Sequence, residues 1–447
     1  MGKESREIRK KFIQLVWPVI IQNSLMMLMF NIDTAMIGRL DEASLAAMGI
    51  IGPVRWAIMA VMMGIAIGTL ATIARSVGAN EWDRAERFAA TSYFLSLFVG
   101  IVTTVAIATF AFRIPAVFID DPDVVREAGK YLRITFLFFS FTYASMIGSS
   151  ILRAAGDTRT PMIVSVISNI LNIAGNYILI FGKFGFPALG LYGAGLSTGI
   201  CKCFEGILMT GYIFTRRSVV RLRPSSFRMI NRTSIKELLK ISIPAGSEPF
   251  FVNSGFLVFT KIVAQLGTFA VAANRIALAV ESLAFMPGHA FSTTCATLVG
   301  QKIGEKSPSG VKKSVKQSLT VSLVTTICIG LVFLVFPHYL CMIFTNDKKI
   351  IAMAALCLMI GAAEQPFLGM SQIFKGAFQG SGDTHTPIYL GAIGVWGPRV
   401  CLSWFFGLYL GIGLPGIWVA TTLDWITRSS LYYWRYRVKM RKLRQKL

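Results

Sequence analysis

The hexapeptide Gly156-Asp157-Thr158-Arg159-Thr160-Pro161 returns as Gly382-Asp383-Thr384-His385-Thr386-Pro387, a shift of 226 residues (156 to 382). The same shift carries Pro18 onto Pro244, Gly78 onto Gly304 and Phe118 onto Phe344. Anchors this far apart on one offset mark a tandem duplication, each copy far longer than a solenoid unit. The hexapeptide also has a local meaning. Its Gly ends a helix in the left-handed region, Asp and Thr offer capping oxygens, and Thr-Pro is expected to start the next helix as N-cap and N1.

What the two copies are made of follows from polarity. Of the 447 residues, 54% are hydrophobic and 15% charged, with a mean hydropathy of +0.60, whereas a soluble domain carries about a quarter charged residues. Apolar runs fall near 12–38, 45–77, 86–112, 124–152, 161–182 and 190–215, then 237–263, 271–303, 313–337, 350–378, 387–409 and 414–436. The expected fold is therefore an all-α integral membrane protein, with twelve transmembrane helices in two parallel-repeat six-helix bundles. The expected division is an N-terminal lobe at 1–215, a basic linker at 216–236 and a C-terminal lobe with a basic tail at 237–447.

A net charge of +23 would suit nucleic acid, but the basic residues lie in short segments between apolar runs. Lys3 to Lys11, Arg84 and Arg87, Arg153 and Arg159, the linker arginines, Lys302 to Lys313 and the tail from Arg435 to Lys446 all fall on one side of a twelve-span count. Asp41, Glu42, Asp120, Asp121 and Asp123 fall on the other. Positive-inside sorting accounts for this pattern, makes both termini cytoplasmic and places the chain in the cell (inner) membrane. The partner is then a lipid bilayer and not nucleic acid, and the protein is expected to act as a monomer. Seven cysteines, several inside apolar runs, give no disulfide framework. The stretch 300–307 has the wrong glycine-to-lysine spacing for a nucleotide-binding loop, and no cofactor is implied.

Ionisable groups inside apolar runs are the informative residues, because a charge at the bilayer centre costs about 3 kcal/mol. Asp33 stands toward the far end of span one. Asn169, Asn172 and Asn176 follow an i, i+3, i+7 spacing and line one face of span five. Thr198 in span six, beside the small pair Gly195 and Gly199, adds a hydroxyl. The second half carries Glu248, Glu281, Glu364, Arg399 and Asp424. The repeat does not copy the acids: Asp33 shifts onto Phe259, and Glu364 back onto Phe138. Arg55 shifts onto Glu281, which makes an inter-lobe charge contact one reading of that pair and two separate cavity charges the other. Gly64 and Gly68 form a packing face.

Several of these segments together resemble the MATE (multidrug and toxic compound extrusion) transporters, over nearly the whole chain. They are Asn31 to Gly38 (NIDTAMIG), the duplicated Gly-Asp-Thr-x-Thr-Pro, Asn172 to Gly182 (NIAGNYILIFG), Gly190 to Thr198 (GLYGAGLST) and Glu281 to Gly288 (ESLAFMPG). The resemblance, to a DinF-like or related prokaryotic branch, implies two six-helix bundles and a cation-coupled antiporter that exports organic, often cationic, compounds by alternating access. It implies cation coupling by protons or sodium ions at Asp33, Asn172, Asn176 and Thr198, with sodium held at Asp33 if sodium is the ion. At 176 this chain has Asn where that branch has Asp, so the resemblance supplies one carboxylate there. Glu248, Glu281 and Glu364 are candidates for a cation or substrate site in the second half, and Arg55 and Arg399 for cavity charges. Two other functions compete: a flippase of lipid-linked sugar or peptidoglycan precursors within the same superfamily, and an integral-membrane enzyme.

Overall fold

The computed structural model describes residues 3–38 and 42–446. Asp41 lies outside them, as do the side chains of Glu42, Lys442, Arg444 and Lys446. Among the described residues every regular element is helical. The first repeat runs Lys3–Ile37, Glu42–Gly78, Trp82–Phe110, the pair Pro122–Leu137 and Phe139–Ala155, then Arg159–Phe181 and Gly190–Phe214. The second runs Arg232–Ala264, Thr268–Gly304, Pro308–Val335, the pair Lys348–Ala362 and Gln365–Gly380, then 385–409 and Leu414–Lys446. Six of these helices are long and apolar enough to cross a bilayer, and eight if each bent pair counts as one span. The rest are diluted by internal polar residues, among them Lys202 and Glu205, Glu248, Arg399, Asp424 and Arg428.

The bent pairs are repeat equivalents. Their halves meet at 50° and 54°, with the breaks at Phe138 and Glu364, which the shift of 226 superimposes. A kink inherited by duplication thus places an aromatic ring in one copy and a carboxylate in the other.

The duplicated hexapeptides have the same geometry. Gly156 and Gly382 sit at φ +94° and +75°. Asp157 N–H donates to Leu152 O at 2.9 Å, and Asp383 N–H to Phe378 O at 3.0 Å. This is the hydrogen-bonded close of a helix on a left-handed glycine. One detail departs from expectation. The cap oxygen comes from Asp: Asp157 Oδ1 accepts from Thr160 N–H at 3.0 Å and Asp383 Oδ1 from Thr386 N–H at 3.1 Å. The next helices begin at Arg159 and His385, so each Pro is the third helical residue. It still stands in the first turn, where its missing N–H costs nothing.

Lys439, on the last helix, reaches back to Asp383 at 3.0 Å and Ser381 at 2.7 Å. Burial opposes ionisation of Asp383, but Lys439 and the N–H and hydroxyl of Thr386 outweigh it and hold the carboxyl below its ordinary range. Stabilisation from a lowered carboxyl pKa is complete above the ordinary value of about 4 and is lost as pH falls through the lowered one. The unfolding-temperature difference between wild type and Asp383→Asn in detergent should therefore be constant from pH 7 to 5 and shrink below about pH 4.

Contacts divide the chain into two compact units. One holds 21–77 and 81–246; the other holds 1–20, 78–80 and 247–447. The first helix of each repeat is therefore split between units, after residue 20 and after residue 246, again positions related by the shift of 226, each two residues past a proline. In the unit containing 247–447, Phe12, Leu15, Val16 and Val19 complete a core with Phe291, Leu298, Phe374, Phe378 and Tyr432. A second core joins Phe259, Ala277, Val280, Phe333, Leu358 and Trp418. In the unit containing 21–246, a Cβ on Gly64 would collide with the backbone of Ser242 and Gly246, and one on Gly68 with Ser242 Oγ. That confirms the packing face. Gly195 and Gly199 are equally tight against Ile134 and the Phe138 ring.

Candidate ion and substrate sites

Three helices build the site of the unit containing 21–246. The turns around Ile163 to Phe181 bury Ser165, Ser168, Asn172 and Asn176 on one face and leave Asn169 half-buried. Asn176 Nδ2 donates to Asp33 Oδ1 at 2.5 Å. Asn172 Nδ2 lies 3.3 Å from Ser197 Oγ and 3.4 Å from Thr198 Oγ1 on the following helix. The four residues read from the sequence are thus gathered on adjacent helices, with Ser197 added. The buried Oδ1 of Asn176 has no hydrogen-bond partner. The charges of Arg55 and Lys202 both reach Asp33.

Sequence reasoning passed over the other half of this polar core. Lys202 Nζ pairs with the buried Glu205 Oε2 at 2.6 Å, Ser165 Oγ donates to Glu205 Oε1 at 3.0 Å, and Gln22 donates to Ser165 at 3.0 Å. The signal was present: a Lys and a Glu three residues apart inside an apolar run, on one helix face.

The unit containing 247–447 holds its ionisable residues in two groups. Glu248 Oε1 meets Lys375 Nζ at 2.5 Å. The second group is Glu281, Glu364, Arg399, Asp424 and Arg428, all buried. Arg399 Nε donates to Asp424 Oδ2 at 2.8 Å; Arg428 Nε donates to Asp424 Oδ1 at 2.6 Å and a second arm closes on Oδ2. Glu364 Oε2 accepts from Thr421 at 3.1 Å. Glu281 is its acidic neighbour in the same cluster, and the buried Oε1 of Glu364 has no hydrogen-bond partner. Within their own units, then, Arg55 acts on Asp33, and Glu281 on Glu364 and Arg399. Arg428 and Lys375 were not anticipated, although Arg428 stands four residues from Asp424 on one helix.

Among the described residues no group of three or more His, Cys, Asp or Glu side chains is arranged to hold a metal ion. The hydrogen-bond neighbour of Asp33 is the amide of Asn176, and the charges of Arg55 and Lys202 act on it from farther off.

The MatE family model matches the chain twice, at 18–178 and 244–405, one match per repeat. The "Probable multidrug resistance protein NorM" of Thermotoga maritima is 34% identical over 431 residues, covering 96% of this chain and 92% of that protein. The "Uncharacterized transporter YisQ" of Bacillus subtilis is 28% identical over 430 residues, covering 96% and 94%. A solved MOP superfamily transporter from Pyrococcus furiosus superimposes with a TM-score of 0.91 at 20% identity, covering 99% of each chain. A mutant of the Vibrio cholerae MATE transporter VcmN gives 0.92 at 20%, also covering 99% of each. Both repeats match one family model and the fold matches across the full length, so the chain belongs to the MATE family of membrane transporters and is not an enzyme.

Proposed function

We propose that this protein is a proton-coupled antiporter that exports organic cations by alternating access. The observation carrying this reading is the pairing of half-buried Asp33 with buried Asn176, in the apolar stretch of the first helix and within range of two positive charges. A carboxylate there attracts a cation and a protonated one does not, so proton binding and cation binding oppose each other at one place. Asn172, Ser197 and Thr198 hold the amide face in position. The Glu281–Glu364 pair offers a second place for one proton, at the helix break of span ten. The multidrug-resistance names of the relatives support an organic cargo. The distribution of Lys and Arg supports cytoplasmic termini in the inner membrane, with a monomer in lipid as the working form.

The test is efflux of ethidium from liposomes reconstituted with the full chain, under an imposed proton gradient and separately under a sodium gradient. Proton-driven efflux with no response to sodium is the expected result. A response to sodium alone would move the coupling ion to sodium at Asp33. No drug movement under either gradient would favour the flippase of lipid-linked precursors.

A further inference from the structure

The guanidinium of Arg399 sits in an aromatic box. Its carbon lies 4.7 Å from the centre of the Phe256 ring, 5.9 Å from Phe259 and 5.8 Å from Trp425. Asp424 closes one side, and the charge of Arg399 acts on Glu281 and Glu364 at another. Rings facing a cation beside carboxylates are the arrangement proteins use to recognise organic ammonium groups. Here the cation is the chain's own.

Asp424 is shared between two guanidiniums. Withdrawing Arg399 therefore takes one positive charge from a buried, acid-lined box, while Asp424 keeps Arg428 as its partner. The unpartnered Oε1 of the fully buried Glu364 is part of this cluster.

The backbone under Arg399 departs from the α-helix. Residues Val395–Leu402 and Phe405–Tyr409 are π-helical, and Pro398 lies within the first stretch. A π-helix is a metastable form that gathers at functional sites, and tightening it to an α-helix turns each side chain by about 100° per residue gained. The repeat-equivalent stretch, 169–176, lies within the α-helix Arg159–Phe181.

We propose that Arg399 is a tethered stand-in for a monovalent organic cation, filling an aromatic–carboxylate site in the unit containing 247–447 that a cargo cation occupies once the π-helical segment withdraws it. The proposal rests on the antiport reading only for the nature of the cargo. Tetramethylammonium binding to the full chain in detergent, followed by calorimetry in an Asp33→Asn background without any gradient, separates the two. Arg399→Ala should bind tetramethylammonium at least about tenfold more tightly than its parent. Arg399→Lys, which keeps a cation in the box, should not, and adding Phe256→Leu to Arg399→Ala should remove the gain. Arg399→Gln, which retains a donor for Asp424, is the second variant and should show the same gain if Arg399→Ala does not fold. No gain in either variant, or a gain that survives Phe256→Leu, would overturn the proposal. A gain accompanied by a wild type that moves no ethidium would sink the antiport reading alone.

Discussion

Asp33→Asn is expected to reduce proton-driven ethidium efflux to the leak of protein-free liposomes while leaving the protein folded. The substitution is nearly isosteric. Asn keeps a carbonyl oxygen where Asp33 Oδ1 accepts from Asn176, so the 2.5 Å hydrogen bond has a ready replacement. What disappears is the capacity to bind and release a proton, together with one negative charge facing Arg55 and Lys202. Lys202 retains Glu205 at 2.6 Å, and Arg55 is only half-buried, so neither is stranded in a dry interior and stability should change by no more than about 1 kcal/mol. Thermal unfolding in detergent checks the fold, and efflux checks the coupling. Efflux unchanged in a folded Asp33→Asn protein would transfer the coupling to Glu281 and Glu364.

The parts of this arrangement visible in the sequence were those set by periodicity and duplication. The spacing of Asn172 and Asn176 placed both amides on one buried face, and the repeat announced two equivalent hinges. What the sequence left open were choices between equally capable groups. Asp and Thr can both cap a helix, and only the folded backbone decides that Asp157 and Asp383 do so. The kink at Glu364 was hidden because its equivalent is Phe138: a bend fixed by packing leaves no common residue type behind. The π-helical stretch was hidden for a related reason. The run 387–409 reads as an ordinary apolar span, and its hydrogen-bond register depends on side chains from other helices. A Cβ at Gly394 would collide with Asp424 and Arg428, and one at Gly255 with Val395. Repeat symmetry hid one more relation. Asp33 shifts onto Phe259, one wall of the box around Arg399. The first repeat thus presents an acid bound to an amide where the second presents an aromatic ring facing a guanidinium.

The second large effect is expected at Asp424. It is fully buried, with Arg399 at 3% and Arg428 at 7% exposure, and it is the acid that holds both guanidiniums. Removing one partner of a buried ion pair commonly costs about 3–5 kcal/mol, because the remaining charge keeps its desolvation penalty without compensation. Asp424→Leu takes the ion-paired acid from both guanidiniums, and the rings of Phe256 and Trp425 recover only part of the loss, at about 2 kcal/mol or less per contact. The unfolding temperature in detergent should fall accordingly. Replacing all three residues at once, as Asp424→Leu with Arg399→Met and Arg428→Met, should recover part of the loss, since an apolar filling removes the ion pairs' desolvation penalty along with their attraction while Glu281 and Glu364 lose Arg399. The single change Arg428→Met should be milder than Asp424→Leu, because Asp424 then still holds Arg399 at 2.8 Å. Equal stability losses for Arg428→Met and Asp424→Leu would mean that Arg399 contributes nothing to compensating Asp424. An unequal pair with recovery in the triple variant would show that the ion cluster brings the fold no net benefit over an apolar filling. That is the condition under which Arg399 is free to leave its aromatic box.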